Sequence, residues 1–469
     1  MSRKAFSILV VASAAALIAS TGWAIGLVIA HQQGYSALAW SAAAILALVL
    51  LVSAFVTRVR ISSLSGTPWL IAGVSLVASL VPWWLVASGR GEIGALLYQG
   101  LRIPQGIVQF WDLALVLESV DCARWGFDIY AVGNGCLAEP SIYAPGMVWL
   151  QYLPGGIFSE SNAGWLGVAM IVVSSLALLL LARWSTGVGR IVLLISAVGA
   201  PWVLLLERGN VDAVVLWVAV ITVALAHRFN SLTTWTVAAL LIWIVGTWKY
   251  YPFALGLLLL PALTIRRGWT VVAGFAAATL AYIALTWEGF QTSRAASSAM
   301  VDFGDFVVLG RTPVVARMLG HGDAIGSWQA GDTLMALIGL LAVLLGALVA
   351  WRSRVRNPVL GALAAGGGAL YLSVVLVAGF GYGYKATFLL LAVPYLSAWP
   401  ASKGRVLVAV GLAAMLLIGI ESVVVWNTLL ATSAGIIAAG IALGAGGASV
   451  LRGYQQARSA QSPVTTLPS

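Results

Sequence analysis

The chain has 469 residues, of which 61% are hydrophobic and only 9% charged. Soluble domains are roughly 45–50% apolar and about 25% charged, so a water-soluble globular protein, a disordered chain and a nucleic-acid-binding module are excluded, and 51 glycines without a G-X-Y period exclude collagen. What remains is an all-α polytopic membrane protein, in which the placement of the net +10 charge says more than its size.

Apolar runs follow one another along the chain. Residues 6–30 and 37–56 read as a first transmembrane hairpin and 68–88 as a third span. The 6–30 run is too long for a signal-peptide core and has no small-residue cleavage site before the next run. A long segment, 89–163, follows, with an amphipathic helix expected over 111–124. Next come 164–182, four shorter runs (191–206, 211–226, 235–248 and 252–265), the marginal 269–286 and a second long segment, 288–332. The chain closes with 333–351, 358–380, the short 386–400, 406–426 and 428–451. About 12–14 spans are expected. An α-helix of 14 residues reaches only about 21 Å, against about 30 Å of hydrocarbon. The short runs therefore borrow polar residues or end in a recess surrounded by protein or water. Residues 1–66 read as an additional hairpin, 67–454 as the membrane core, and the polar 455–469, with Pro and Ser, as a disordered cytoplasmic tail.

Orientation follows from charge. With a cytoplasmic N-terminus, Arg3, Lys4, Arg58, Arg60, Arg183, Arg190, Arg228, Arg266, Arg267, Arg352, Arg354, Arg356, Lys403, Arg405, Arg452 and Arg458 fall in short inner loops, as the positive-inside rule requires. All 15 acidic residues then fall outside or at outer ends of spans. Both termini are expected in the cytoplasm of a cell whose plasma membrane, the bacterial inner membrane, holds the protein, and the chemistry is expected on the exoplasmic face. Cys122 and Cys136 lie 14 residues apart in the first outer segment. An oxidising exterior favours a disulfide over two free thiols, worth roughly 3 kcal/mol in the chain-entropy picture; no His lies near enough to complete a zinc site.

Polar residues gather at the outer ends of the runs: Asp112, Glu118, Asp121, Asp128, Tyr130 and Tyr143; then Glu207-Arg208-Gly209-Asn210-Val211-Asp212; then Lys249-Tyr250-Tyr251-Pro252; then Gly383-Tyr384-Lys385. A lone Arg208, Lys249 or Lys385 reads most simply as a snorkelling anchor. Three such cations at the ends of truncated helices suit an anionic headgroup, because a cation at membrane depth is expensive unless paired or solvated. Asp112 reads either as a helix N-cap or as a general base, with Asp121 and Asp128 as fallbacks. Tyr130 and Tyr143 read as pocket walls or as interfacial aromatics. His321, in the second outer segment with Arg311, Arg317 and Asp323, reads as a solvated loop residue or an acceptor contact. No spacing demands a divalent metal, although the outer acids leave one open, and no other cofactor is expected.

Asp112, then Gly126-Phe127-Asp128-Ile129-Tyr130, then Tyr143-Ala144-Pro145-Gly146, together resemble the first outer loop of the GT-C membrane glycosyltransferases, nearest to glycosyltransferase family 87. Arg208-Gly209-Asn210-Val211-Asp212 resembles that branch's G-N-x-D turn, Lys249-Tyr250-Tyr251-Pro252 its K-x-x-P element, and Gly383-Tyr384-Lys385 with Phe388-Leu389-Leu390 its late D-Y-R-x-x-x-L segment. Ala144 stands where the branch has a proline, and Lys385 where it has an arginine, which keeps the charge but loses the bidentate fork. The resemblance covers about residues 110–400. It implies a GT-C-like fold and a donor made of a sugar, mannose or arabinofuranose, on a polyprenyl phosphate. It also implies a glycan or glycolipid acceptor, and inverting transfer with Asp112 as base. Arg208, Lys249 and Lys385 would hold the donor phosphate; Asp128, Tyr130, Tyr143, Asn210, Tyr251, Tyr384 and His321 would contact sugar or acceptor. A monomer in the lipid bilayer, without nucleic acid, is expected. The alternative is a polyprenyl-phosphate-sugar flippase or transporter; absence of mid-span acids and of an internal repeat speaks against transport.

Overall fold

The computed structural model describes residues 66–100, 109–131, 133, 135–137, 141, 143–153, 156–289, 291, 329–352, 357–378, 383–399 and 425–461. The expected N-terminal hairpin over 6–56, all but the last two residues of the 406–426 run, nearly all of 288–332 with His321, and residues 462–469 lie outside them. Among the described residues there is no strand. The α-helices are α1 (Thr67–Ala87), α2 (Gly91–Gly100), α3 (Trp111–Arg124), α4 (Ala163–Trp184), α5 (Gly187–Ser196), α6 (Ala200–Glu207), α7 (Asp212–Phe229), α8 (Leu232–Trp248), α9 (Gly268–Leu285), α10 (Gln329–Arg352), α11 (Pro358–Leu372), α12 (Val393–Ser397) and α13 (Val425–Gln461). Two long 3₁₀ helices, Tyr251–Thr264 and Gly383–Ala392, sit among them.

Local chemistry sets many of these boundaries. Pro68, Pro201, Pro252 and Pro358 stand in the first turns of their helices, where the missing N–H has no partner to lose. Asn357 and Ser231 cap α11 and α8 by accepting from Leu360 N and Thr234 N at 3.0 and 3.2 Å. Asn230, left-handed at φ 32°, ends α7 and so makes a tight α7–α8 turn.

Six helices among the described residues are long and apolar enough to cross a membrane, or seven if the bent α5–α6 pair counts as one span. The chain is a multi-pass α-helical membrane protein. The single run expected over 191–206 is broken instead, because the chain restarts at Gly199-Ala200-Pro201 and proline cannot continue the preceding helix. The 252–265 run was expected to fall short of the bilayer as an α-helix. It is wound as a 14-residue 3₁₀ helix and at roughly 2.0 Å per residue reaches about 28 Å, close to a full crossing. The tail expected to be disordered from residue 455 stays helical to Gln461, since its Ala, Gln and Arg residues are good helix formers and no proline intervenes.

Helices α11 and α13 form the centre, with 72% of their apolar windows buried, whereas α1 and α9, at 22% and 17%, form the lipid-facing rim. Trp69, Leu70 and Trp84 of α1 and Trp269, Leu280 and Leu285 of α9 face outward accordingly. The α10–α13 and α11–α13 contacts are close because small residues meet there: a Cβ on Gly444 would stand 1.9 Å from the Val343 carbonyl oxygen, and one on Gly446 2.1 Å from that of Gly361. Small residues let helix backbones approach where lipid offers no hydrophobic drive. Gly444→Leu should force α10 and α13 apart and lower thermal stability by roughly 2–3 kcal/mol; an unchanged melting curve in micelles would refute this packing.

Candidate functional site

The site forms where four stretches of chain meet: the start of α3, the α6–α7 turn, the junction from α8 into the first 3₁₀ helix, and the start of the second 3₁₀ helix. The α3 start is clamped by backbone. Phe110 N donates to Glu207 O at 3.0 Å, and Asp112 N and Leu113 N donate to Arg208 O at 3.0 and 3.3 Å. Phe110, left-handed at φ 56°, is the N-cap residue. Asp112 is therefore not the cap, as one reading of the sequence had it; the carbonyl of Arg208 satisfies the first-turn donors and the Asp112 carboxylate is left for other partners.

The turn that supplies that carbonyl needs glycine. Gly209 has φ +60°, and a Cβ there would lie 2.9 Å from Leu113 Cβ and 3.2 Å from Phe110 Cβ. Gly209→Ala is expected to destabilise by about 1–3 kcal/mol from the strained φ and to displace Arg208 and Asn210; thermal unfolding and binding assays on the variant check both.

From this scaffold a continuous buried network extends. Arg208 donates through Nε and Nη2 to Asp112 Oδ1, at 2.9 and 2.7 Å. Asn210 Nδ2 donates to Asp112 Oδ2 and, at 2.8 Å, to the Tyr384 hydroxyl. The other end of the same amide, Oδ1, accepts from Lys249 Nζ and from Asp212 N, both at 3.0 Å. Asp212, with no exposed surface, accepts from Lys249 at 3.0 Å, from Lys385 and from the Tyr251 hydroxyl. Lys385 also donates to Tyr251 at 2.9 Å. Lys249 lies 5.1 Å from the Tyr143 ring centre and Lys385 4.6 Å from that of Tyr251, within cation–π range. Three cations thus face two carboxylates. Buried ions are tolerated only when paired and fully hydrogen-bonded, and Asn210 joins the two pairs into one array.

The expected site residues divide cleanly. Asp112, Arg208, Asn210, Lys249, Tyr251, Tyr384 and Lys385 are brought together, with Tyr143 over Lys249. Asp128 is exposed, and its Oδ1 accepts from Tyr130 N at 3.0 Å, a local turn bond. The Tyr130 hydroxyl donates to Tyr143 O at 3.0 Å; burial pushes that phenol well above its ordinary range, so it remains a donor. Tyr130 therefore stands behind Tyr143. Asp121, a fallback base, is a loop fastener instead, held by Arg124 at 2.9 Å, Ser159 at 2.9 Å and Glu160 N at 3.0 Å. Cys122 and Cys136 are joined in a disulfide with Cα atoms 5.9 Å apart. The Tyr143–Gly146 stretch is pinned to the end of α8 by Ala144 N donating to Trp248 O at 3.0 Å. Further along, Gly146 N donates to the Tyr282 hydroxyl, which donates to Thr247 O. Asp212 was passed over as a site residue, although its place two residues after Asn210, and the need of Lys249 and Lys385 for a counter-charge, both marked it. Among the described residues no cluster of three or more His, Cys, Asp or Glu side chains is disposed to hold a metal.

Compared with family models, curated proteins and solved structures, the chain matches none.

Proposed function

We propose that the protein is an inverting membrane glycosyltransferase that moves a sugar, mannose or arabinofuranose, from a polyprenyl phosphate to a glycan or glycolipid on the exoplasmic side of a bacterial inner membrane. The observation that carries this reading is the meeting of Asp112, Arg208, Asp212, Lys249 and Lys385, drawn from four separate stretches, in one buried network. With all five ionised the network has one positive charge in surplus, the complement of a phosphodiester anion. Among the described residues Lys249 and Lys385 each use two of three ammonium donors on oxygen, which leaves each a donor for an incoming anion.

In this reading Asp112 takes the proton of the acceptor hydroxyl on Oδ2, which retains a lone pair beyond the one used by Asn210, while Oδ1 accepts twice from Arg208. The hydroxyl oxygen attacks the anomeric carbon, and the bond to the phosphate oxygen breaks with inversion. Arg208, Lys249 and Lys385 offset the charge that builds on the departing lipid phosphate. A phosphate leaves without a strong acid, so one carboxylate suffices where a glycosidase needs two. The test is incubation of the purified chain with synthetic polyprenyl-phosphate sugars and glycan or glycolipid acceptors, measuring lipid-phosphate release. Release with at least one pair supports the reading; none with any pair overturns it.

A further inference from the structure

A short 3₁₀ helix, Pro145–Tyr152, leaves the site along the outside of α8. It starts level with the end of α8, where Ala144 N donates to Trp248 O at 3.0 Å and a Cβ on Gly146 would stand 2.4 Å from Thr247 Cβ. By Trp149 it has reached Trp243, with the two ring centres 5.7 Å apart. Trp243 lies five residues before Trp248, about 7.5 Å inward along α8. It continues the stripe that carries Val237 and Leu240, 44% and 55% exposed, at a spacing that keeps all three on one helix face. The 3₁₀ helix therefore lies on the exposed apolar face of α8. Its own outward residues, Trp149, Tyr152 and Leu153, are 47%, 80% and 42% exposed, and residues 145–158 hold no charged side chain.

The backbone of this segment is satisfied without solvent. A helix end leaves carbonyls open; water serves them on an exposed loop, but lipid does not. Here two side chains do so. Arg124, in the last turn of α3, donates to Leu150 O and Gln151 O at 3.2 Å each and to Phe158 O at 2.6 Å, while Asp121 pairs its charge at 2.9 Å. Asn162 Nδ2 donates to Gly156 O and, at 3.3 Å, to Ile157 O. We propose that Pro145–Tyr152 inserts into the layer between headgroups and acyl chains on the side of the bilayer where the site lies, with Trp149, Tyr152 and Leu153 against lipid and Arg124 capping the inserted backbone. Interfacial helices bury their apolar faces to about 5–10 Å, which matches the descent along α8, and Trp and Tyr are the residues that favour this layer. The partner is a lipid surface because the segment is uncharged, continues the exposed apolar face of a membrane helix and has its carbonyls capped from within. Tyr143, whose ring lies 5.1 Å from Lys249 Nζ, stands two residues before Pro145, so the lipid seat of this helix also sets one wall of the ion network.

The test uses the full chain in vesicles of phosphatidylcholine and phosphatidylglycerol, with nitroxide labels on single added cysteines. The two native cysteines are joined to each other, so each added thiol is the only free one. Labels go on Tyr152→Cys, on Leu240→Cys as the lipid reference, and on Glu160→Cys, an exposed and charged position, as the water reference. Collision with oxygen reports lipid, and collision with a water-soluble nickel chelate reports water. The oxygen-to-nickel ratio at Tyr152 is expected to stand well above that at Glu160 and close to that at Leu240. A ratio equal to that at Glu160 overturns the insertion and gives the aromatic face to a partner in water. Arg124→Lys keeps the charge beside Asp121 but loses the planar fork that reaches several carbonyls at once. In that background the Tyr152 ratio is expected to fall toward the Glu160 value while the Leu240 ratio holds; an unchanged Tyr152 ratio overturns the role given to Arg124. None of these outcomes depends on turnover, so the transferase reading stands or falls separately.

Discussion

Asp112→Asn is expected to abolish sugar transfer while leaving the donor bound. The amide is nearly the size of the carboxylate, and its oxygen still accepts from Arg208, which holds Asp112 at 2.7 Å. What is lost is the ability to take a proton, an effect worth about 10²–10⁴-fold in rate for a positioned base. A fall in kcat of at least about 100-fold, with lipid-phosphate binding within a few fold of wild type, is the predicted pattern. It also separates the two functional classes that fit a polyprenyl-phosphate site. A flippase needs no base, so undiminished movement of lipid-linked sugar across proteoliposomes by the variant would favour transport. A matched fall in binding and rate would instead give Asp112 a purely structural part as the counter-ion of Arg208.

Asp212→Ala should be the most damaging single change to stability. The carboxylate has no exposed surface and neutralises two lysines at once; without it two ammonium groups and the Tyr251 hydroxyl lose their shared acceptor. Removing one partner of a buried ion pair costs about 3–5 kcal/mol. Adding Lys385→Met to Asp212→Ala should recover part of that loss, because only one of the two ammonium groups, that of Lys249, is then left without its carboxylate. Thermal unfolding of the three proteins in the same detergent measures it. A double variant no better than the single would show that Asp212 acts on something other than these lysines.

Much of the membrane architecture was legible because it is written in composition. The runs 68–88, 164–182 and 269–286 differ by at most two residues at either end from α1, α4 and α9, and the helix expected over 111–124 is α3. Winding was not legible. Between Tyr251 and Thr264 nearly every position is apolar, so periods of 3.0 and 3.6 leave the same trace. The break at Pro201 was readable in principle, since proline ends a helix wherever it stands past the first turn. For the site, the cost of charge at the ends of short spans pointed to Arg208, Lys249 and Lys385. Which acid reaches which cation depends on how α3 meets the α6–α7 turn, and no local pattern encodes that.

The long 3₁₀ winding that begins at Tyr251 also sets a length. Each residue rewound into α form would shorten the segment by about 0.5 Å, so all 14 together would retract one end by about 7 Å. The Tyr251 hydroxyl sits at that end, bonded to both Asp212 and Lys385. The winding of this apolar stretch thus fixes how far its first hydroxyl stands from the rest of the segment, and a change of pitch there would be felt at the hydroxyl's two polar partners.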